Sequence, residues 1–96
     1  MVDEKYKKKL IEIIEKHIPK CKIFLFGSRV QKCHPESSDI DIAIDVGKEL
    51  ESSLLGKIRE EVEESTIPYF VDVVDVNNVS DKMKEQIFKY GVLWKD

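Results

Sequence analysis

The stretch Asp39-Ile40-Asp41-Ile42-Ala43-Ile44-Asp45 alternates acidic and apolar residues with a period close to two. A strand gives that period a meaning, because successive side chains point to opposite faces of a sheet. Ile40, Ile42 and Ile44 then share a face that must pack on a core. Asp39, Asp41, Ala43 and Asp45 share the other, which must meet water, a cation or a ligand. The carboxylates of Asp39 and Asp41 project side by side, and repulsion between them raises one pKa unless a cation lies between. Hard oxygen ligands in that arrangement suit Mg2+, which binds through one or two carboxylates together with substrate phosphates.

The residues before this strand supply what such a cation would need beside it. Ile23-Phe24-Leu25-Phe26 reads as a short buried strand within Lys22–Phe26, ending at Gly27. Gly27 carries no Cβ, so a phosphate can approach the backbone there. Ser28 offers a hydroxyl and an N–H at the start of an expected short helix, and helix N-termini attract anions. Arg29 adds a cation. A loop with Pro35 and Ser37-Ser38 then leads into Asp39. Taken singly, a Gly-Ser turn after a strand is an ordinary turn, and an alternating strand is an ordinary half-solvated strand. Their conjunction is much harder to explain that way.

Ninety-six residues make one small domain, 1–96, able to bury a core of its own. A net charge of −3 argues against a domain built to coat nucleic acid, which would be basic. No apolar run is long enough to span a membrane, and the first residues lack the apolar core of a signal peptide, so a cytoplasmic protein is expected. Cys21 and Cys33 suggest no disulfide framework, and the Cys33-His34 pair has no second ligand pair to make a zinc site.

Elsewhere the pattern predicts helices over about 3–18, 48–65 and 81–90. Tyr6, Leu10, Ile13, Ile14 and Ile18 form the apolar stripe of the first, with His17 as a packing residue, and Pro19 stops it. Leu50, Leu54, Ile58 and Val62 form that of the second, whose glutamates, Glu61 among them, form a solvated acidic face. Ser80 caps the third, Met83, Ile87 and Phe88 point inward, and Gly91 ends it. Tyr69 to Val76 is apolar on both faces and so predicts a central strand. Asp72 in its middle must border a cleft, a cation or a hydrogen-bonding cluster, because burying an unpaired carboxylate is costly. If that strand lies beside Asp39–Asp45, Asp72 completes a triad with Asp39 and Asp41. Asp75 reads as a solvent contact at the strand end, and Val92-Leu93-Trp94 as an edge strand or a tail.

Gly27-Ser28, ten residues, Asp39-x-Asp41 and a later strand aspartate resemble the nucleotidyltransferase superfamily that includes DNA polymerase beta. Within it, LFGSR, SDIDIAI and VDVVD resemble the minimal nucleotidyltransferases, over essentially the whole chain. The resemblance implies an α+β fold, a small mixed sheet with helices packed around it in the order α-β-α-β-α-β-α. It also implies Mg2+-dependent transfer of a nucleoside monophosphate, usually from ATP, to a hydroxyl. By the same resemblance Asp39 and Asp41 ligate two Mg2+ ions, Asp72 helps to ligate one and acts as general base, and Gly27 and Ser28, with Arg29 beside them, hold the triphosphate. Many members read G-S-R-A-R-G, where this chain has Gly27-Ser28-Arg29-Val30-Gln31-Lys32. Members are commonly paired with a HEPN-domain toxin encoded next door, and act as antitoxin by adenylylating one of its tyrosines. The expected function is therefore an adenylyltransferase acting on a protein hydroxyl. The alternative is a docking module that neutralises the same partner with little or no catalysis. A domain this small, with Trp94 near its end, is also open to homodimer formation.

Overall fold

The computed structural model describes residues 2–27 and 39–96. Helix α1 (Glu4–His17) leads into strand β1 (Lys22–Phe26), and β2 (Ile40–Asp45) follows. Helix α2 (Ser52–Glu63), strand β3 (Val71–Asp75), a 3-10 turn (Val76–Asn78), helix α3 (Asp81–Tyr90) and strand β4 (Val92–Lys95) complete the order. The four strands form one mixed sheet in the order β3-β2-β1-β4. β1 runs antiparallel to both β2 and β4, and β2 runs parallel to β3. Parallel neighbours need a crossover of a dozen or more residues, which the α2 segment supplies. The expected mixed sheet with packed helices is present, with β4 added after α3. The helix expected between β1 and β2 lies outside the described residues.

Local chemistry sets the helix ends. Asp3 accepts a hydrogen bond from the Lys5 amide at 3.1 Å, and Ser80 Oγ accepts from Met83 at 3.2 Å, so each side chain satisfies an amide the helix itself cannot. Gly91 ends α3 as expected, with its N–H donating to Ile87 O at 2.9 Å. Its φ of −68° is one that any residue adopts, so the reason for glycine lies elsewhere. A Cβ there would run into the Ile87 carbonyl.

One face of the sheet is closed. Ile23 and Leu25 of β1, Ile40, Ile42 and Ile44 of β2, and Val73 of β3 meet Leu10, Ile13 and Ile14 of α1 and Leu55, Ile58 and Val62 of α2 in one buried cluster. The opposite face is covered only in part, where Ala43, Val76 and Ile87 are buried among Phe24, Phe26, Val74 and Val79. Ala43 is fully buried, so the aspartate-bearing face of β2 is not open along its whole length.

Several expectations require correction. Among the described residues β3 is an edge strand, and its apolar density reflects packing on both faces, not two strand neighbours. Of the three α3 residues expected to point inward, only Ile87 is buried, whereas Met83 is 40% and Phe88 47% exposed, the latter standing edge-to-face on Phe24. Glu61 is not part of a purely solvated face. It receives Lys16 Nζ at 2.8 Å and lies 2.9 Å from His17 Nε2, tying α2 to α1 and giving His17 a polar partner. Those two bonds hold the Glu61 carboxyl below its ordinary value of 4.5. Trp94 is half-buried against the main cluster, with Lys7 Nζ 5.9 Å from its ring centre. Cys21 is buried, and that burial raises its thiol pKa. Among the described residues no helix is long and apolar enough to cross a membrane.

Candidate active site

The parallel register between β2 and β3 sets Asp41 directly opposite Asp72. Neighbouring strands lie about 4.8 Å apart, and opposed residues point to the same face, so the two carboxylates stand side by side. Asp39 sits two residues earlier on the same line, exposed at the mouth of β2. The three carboxylates of the expected triad thus gather at one corner of the half-covered face, where β2 and β3 begin.

The corner is electrostatically strained. Asp41 is half-buried, and its carboxyl is pushed above the ordinary value of 3.8, first by desolvation and then by the negative charges of Asp72 and Asp39. Among the described residues no donor is paired with the Asp41 or Asp72 carboxylate. A cation among the three would relieve both penalties.

Across β1, Phe26 is the register partner of Asp41, and Gly27 follows it. Gly27 has a φ of +78°, in the left-handed region that favours glycine. A Cβ at this position would run into Asp41 Oδ2. The space that glycine leaves is therefore filled by the Asp41 carboxylate, whereas the sequence suggested it for a phosphate. Ser28, Arg29, Gln31, Lys32 and the Cys33-His34 pair lie outside the described residues.

The donor set fits a hard divalent cation. Among the described residues no three His, Cys, Asp or Glu side chains are drawn tightly enough together to enclose a metal by themselves. An open row of carboxylates is what Mg2+ takes, because it keeps several waters and shares ligands with substrate phosphates.

The other two strand aspartates behave differently. Asp75 is 3% exposed and is the buried charged residue of the described core. This overturns its reading as a solvent contact. Its Oδ2 accepts from the Leu50 amide at 2.7 Å and its Oδ1 from the Asn77 amide at 3.0 Å, which makes burial tolerable. Asp45 Oδ1 accepts from Gly47 N at 2.8 Å and from Asn77 Nδ2 at 2.9 Å. Two further residues hold this part of the fold together. Asn77 knits Asp45 and Asp75 together, and Arg59 of α2 donates Nε at 2.9 Å and Nη2 at 2.7 Å to Val73 O on the outer edge of β3. An arginine on a helix face carries no signal for the latter, but Asp75-x-Asn77 matches a side chain that accepts from the amide two residues on.

The family description polymerase beta, nucleotidyltransferase matches residues 8–95. The protein adenylyltransferase MntA of Shewanella oneidensis is 32% identical over 88 residues, covering 90% of this chain and 63% of that protein, so this chain spans less than two thirds of that relative. A crystal structure of a toxin–antitoxin with AMP-PNP superposes with a TM-score of 0.77 at 29% identity, over 92% of this chain and 71% of the other. A tri-AMPylated Shewanella oneidensis HEPN toxin in complex with an MNT antitoxin gives a TM-score of 0.71 at 27% identity, over 92% and 67%.

Proposed function

The chain belongs to the polymerase beta nucleotidyltransferase family, and on that premise we propose that it transfers AMP from ATP to a tyrosine hydroxyl of a HEPN-domain protein, acting as its antitoxin. The observation that carries this reading is the register that sets Asp72 against Asp41 beside Gly27. The similarity to complexes holding AMP-PNP or an AMPylated HEPN toxin supports the choice of nucleotide and partner.

Asp39, Asp41 and Asp72 would hold two Mg2+ ions, which when bound neutralise charge on the triphosphate. Asp72, the most accessible member of the facing pair, takes the proton of the acceptor hydroxyl. The acceptor oxygen forms a bond to the α-phosphorus, the bond from that phosphorus to the bridging oxygen breaks, and pyrophosphate leaves. Such a transfer asks the protein for alignment and charge neutralisation more than for covalent chemistry. Strands hold those groups more rigidly than loops do. Gly27 gives Asp41 room, and Ser28 and Arg29 are assigned to the triphosphate. The docking-only alternative draws on Gln31 and Lys32, outside the described residues, and on the acidic α2 face, one member of which, Glu61, is engaged within the fold.

The test is transfer of label from ATP labelled in its α-phosphate to a purified HEPN-domain protein. Loss of a general base lowers rates by roughly 10²–10⁴-fold, so Asp72→Asn should fall by that order while its melting temperature does not fall below that of the parent. Unchanged transfer by the variant would sink the assignment.

A further inference from the structure

We propose that the acceptor protein docks through an extended segment laid along the outer edge of β3, as an added strand that delivers its hydroxyl to Asp72. The inference rests on the transferase reading above and extends it to how the acceptor is held.

The phase of the ladder comes first. Ile40 N donates to Phe70 O at 2.9 Å, and Ile40 is the register partner of Val71. In a parallel pair that pattern turns the backbone groups of Phe70, Asp72 and Val74 toward β2. The N–H and C=O of Val71 and Val73 therefore face outward. Arg59 takes the Val73 carbonyl with two donors. Val73 is 1% exposed, so its N–H is covered as well, and the groups left open to a partner are the N–H and C=O of Val71, next to Asp72.

A groove of about 430 Å3 runs along this edge, lined by Ile67, Tyr69, Phe70 and Asp72 with Arg59 and Glu63 on the far flank. An outward donor and acceptor on one edge residue are complementary to another extended backbone, the basis of peptide recognition by strand addition. Arg59 fixes where the added strand stops, so pairing is confined to the end next to the carboxylates. Phe70 is 59% exposed and shares the face of Asp72 two residues on. Facing aromatic residues on neighbouring strands attract one another, so an arriving tyrosine finds a ring beside the carboxylate that receives its proton. The other sheet edge offers less, because β4 is four residues long and its pairing to β1 is irregular at Ile23/Phe24.

The experiment uses the full chain, a HEPN-domain protein that it adenylylates, and α,β-methylene-ATP, whose bridging carbon blocks transfer. Amide exchange of Val71 should be fast in the free chain and slow in the complex, whereas Asp72 and Val74, already facing β2, should exchange slowly in both. In transfer assays with ATP, Val71→Pro removes one outward N–H, and a single lost hydrogen bond should raise KM for the acceptor protein roughly three- to tenfold with KM for ATP unchanged. Proline is tolerated on edge strands where its nitrogen faces outward, and the exchange experiment needs no variant at all. A Val71 amide that stays fast in a complex that forms, or an unchanged acceptor KM, would overturn the docking mode and leave the transferase reading standing. Protection that grows with chain concentration alone would assign the edge to a second copy and overturn it too. A chain that neither binds Mg2+-ATP nor transfers AMP would instead remove the transferase reading itself.

Discussion

The two ends of the β2–β3 pair carry the same residue type in opposite circumstances. At the ends where both strands finish, Asp45 and Asp75 are supplied with donors from Gly47, Leu50 and Asn77. At the ends where both begin, Asp41 and Asp72 face each other with Asp39 beside them, and each raises the Asp41 carboxyl. A buried carboxylate with backbone donors is a structural joint. One desolvated beside like charges is a stress the fold sustains, and such stress concentrates at functional sites. The difference teaches where to look for stability and where for function within one strand pair.

The comparison can be broken from either end. Asp75→Ala strips the acceptor from two amides, and each unsatisfied buried group costs roughly 1–3 kcal/mol, so thermal or urea unfolding should show the largest loss of the set. The surviving folded fraction should still bind Mg2+-ATP. Gly27→Ala forces a side chain into the left-handed region, at about 1–2 kcal/mol, and into Asp41 Oδ2. It should lower stability less than Asp75→Ala and yet abolish nucleotide binding in calorimetry; retained binding would show that the Asp41 position is immaterial.

The smallest effect belongs to the α1–α2 tie. Glu61 titrates below 4.5 in the folded chain, so its contribution is present above that value and lost as pH falls through the folded pKa. Glu61→Gln should therefore melt slightly below the parent at pH 7 and match it at acid pH. A gap that persists at low pH would mean that the tie acts through packing and not charge.

Much of the site was legible because its signal is local. The alternation of Asp39 to Asp45 sets one face of β2, and the phase of Asp72 within its strand puts it on the same side once the strands pair. What was not legible depends on tertiary neighbours. VDVVD offers two aspartates of similar appearance, and only the donors arriving from Leu50 and Asn77 make one of them structural. An apolar run reads alike in a central strand and in an edge strand covered on both faces, so the position of β3 in the sheet is not carried by its sequence. The engagement of Glu61 by Lys16 and His17, 45 and 44 residues away, leaves no trace in the periodicity of either helix.

The most direct measurement is Mg2+-ATP titration by calorimetry into the chain and into Asp41→Asn, with melting curves of both across pH. In the free chain Asp41 has a raised pKa, so the folded state holds more protons than the unfolded one in that window, and stability falls as pH rises through it. Asp41→Asn should accordingly melt above the parent at pH 7, converge with it below about pH 3.8, and show no Mg2+-dependent ATP binding. A variant that binds ATP as the parent does, or that melts lower at neutral pH, would contradict the claim that this corner of the sheet trades stability for a nucleotide site.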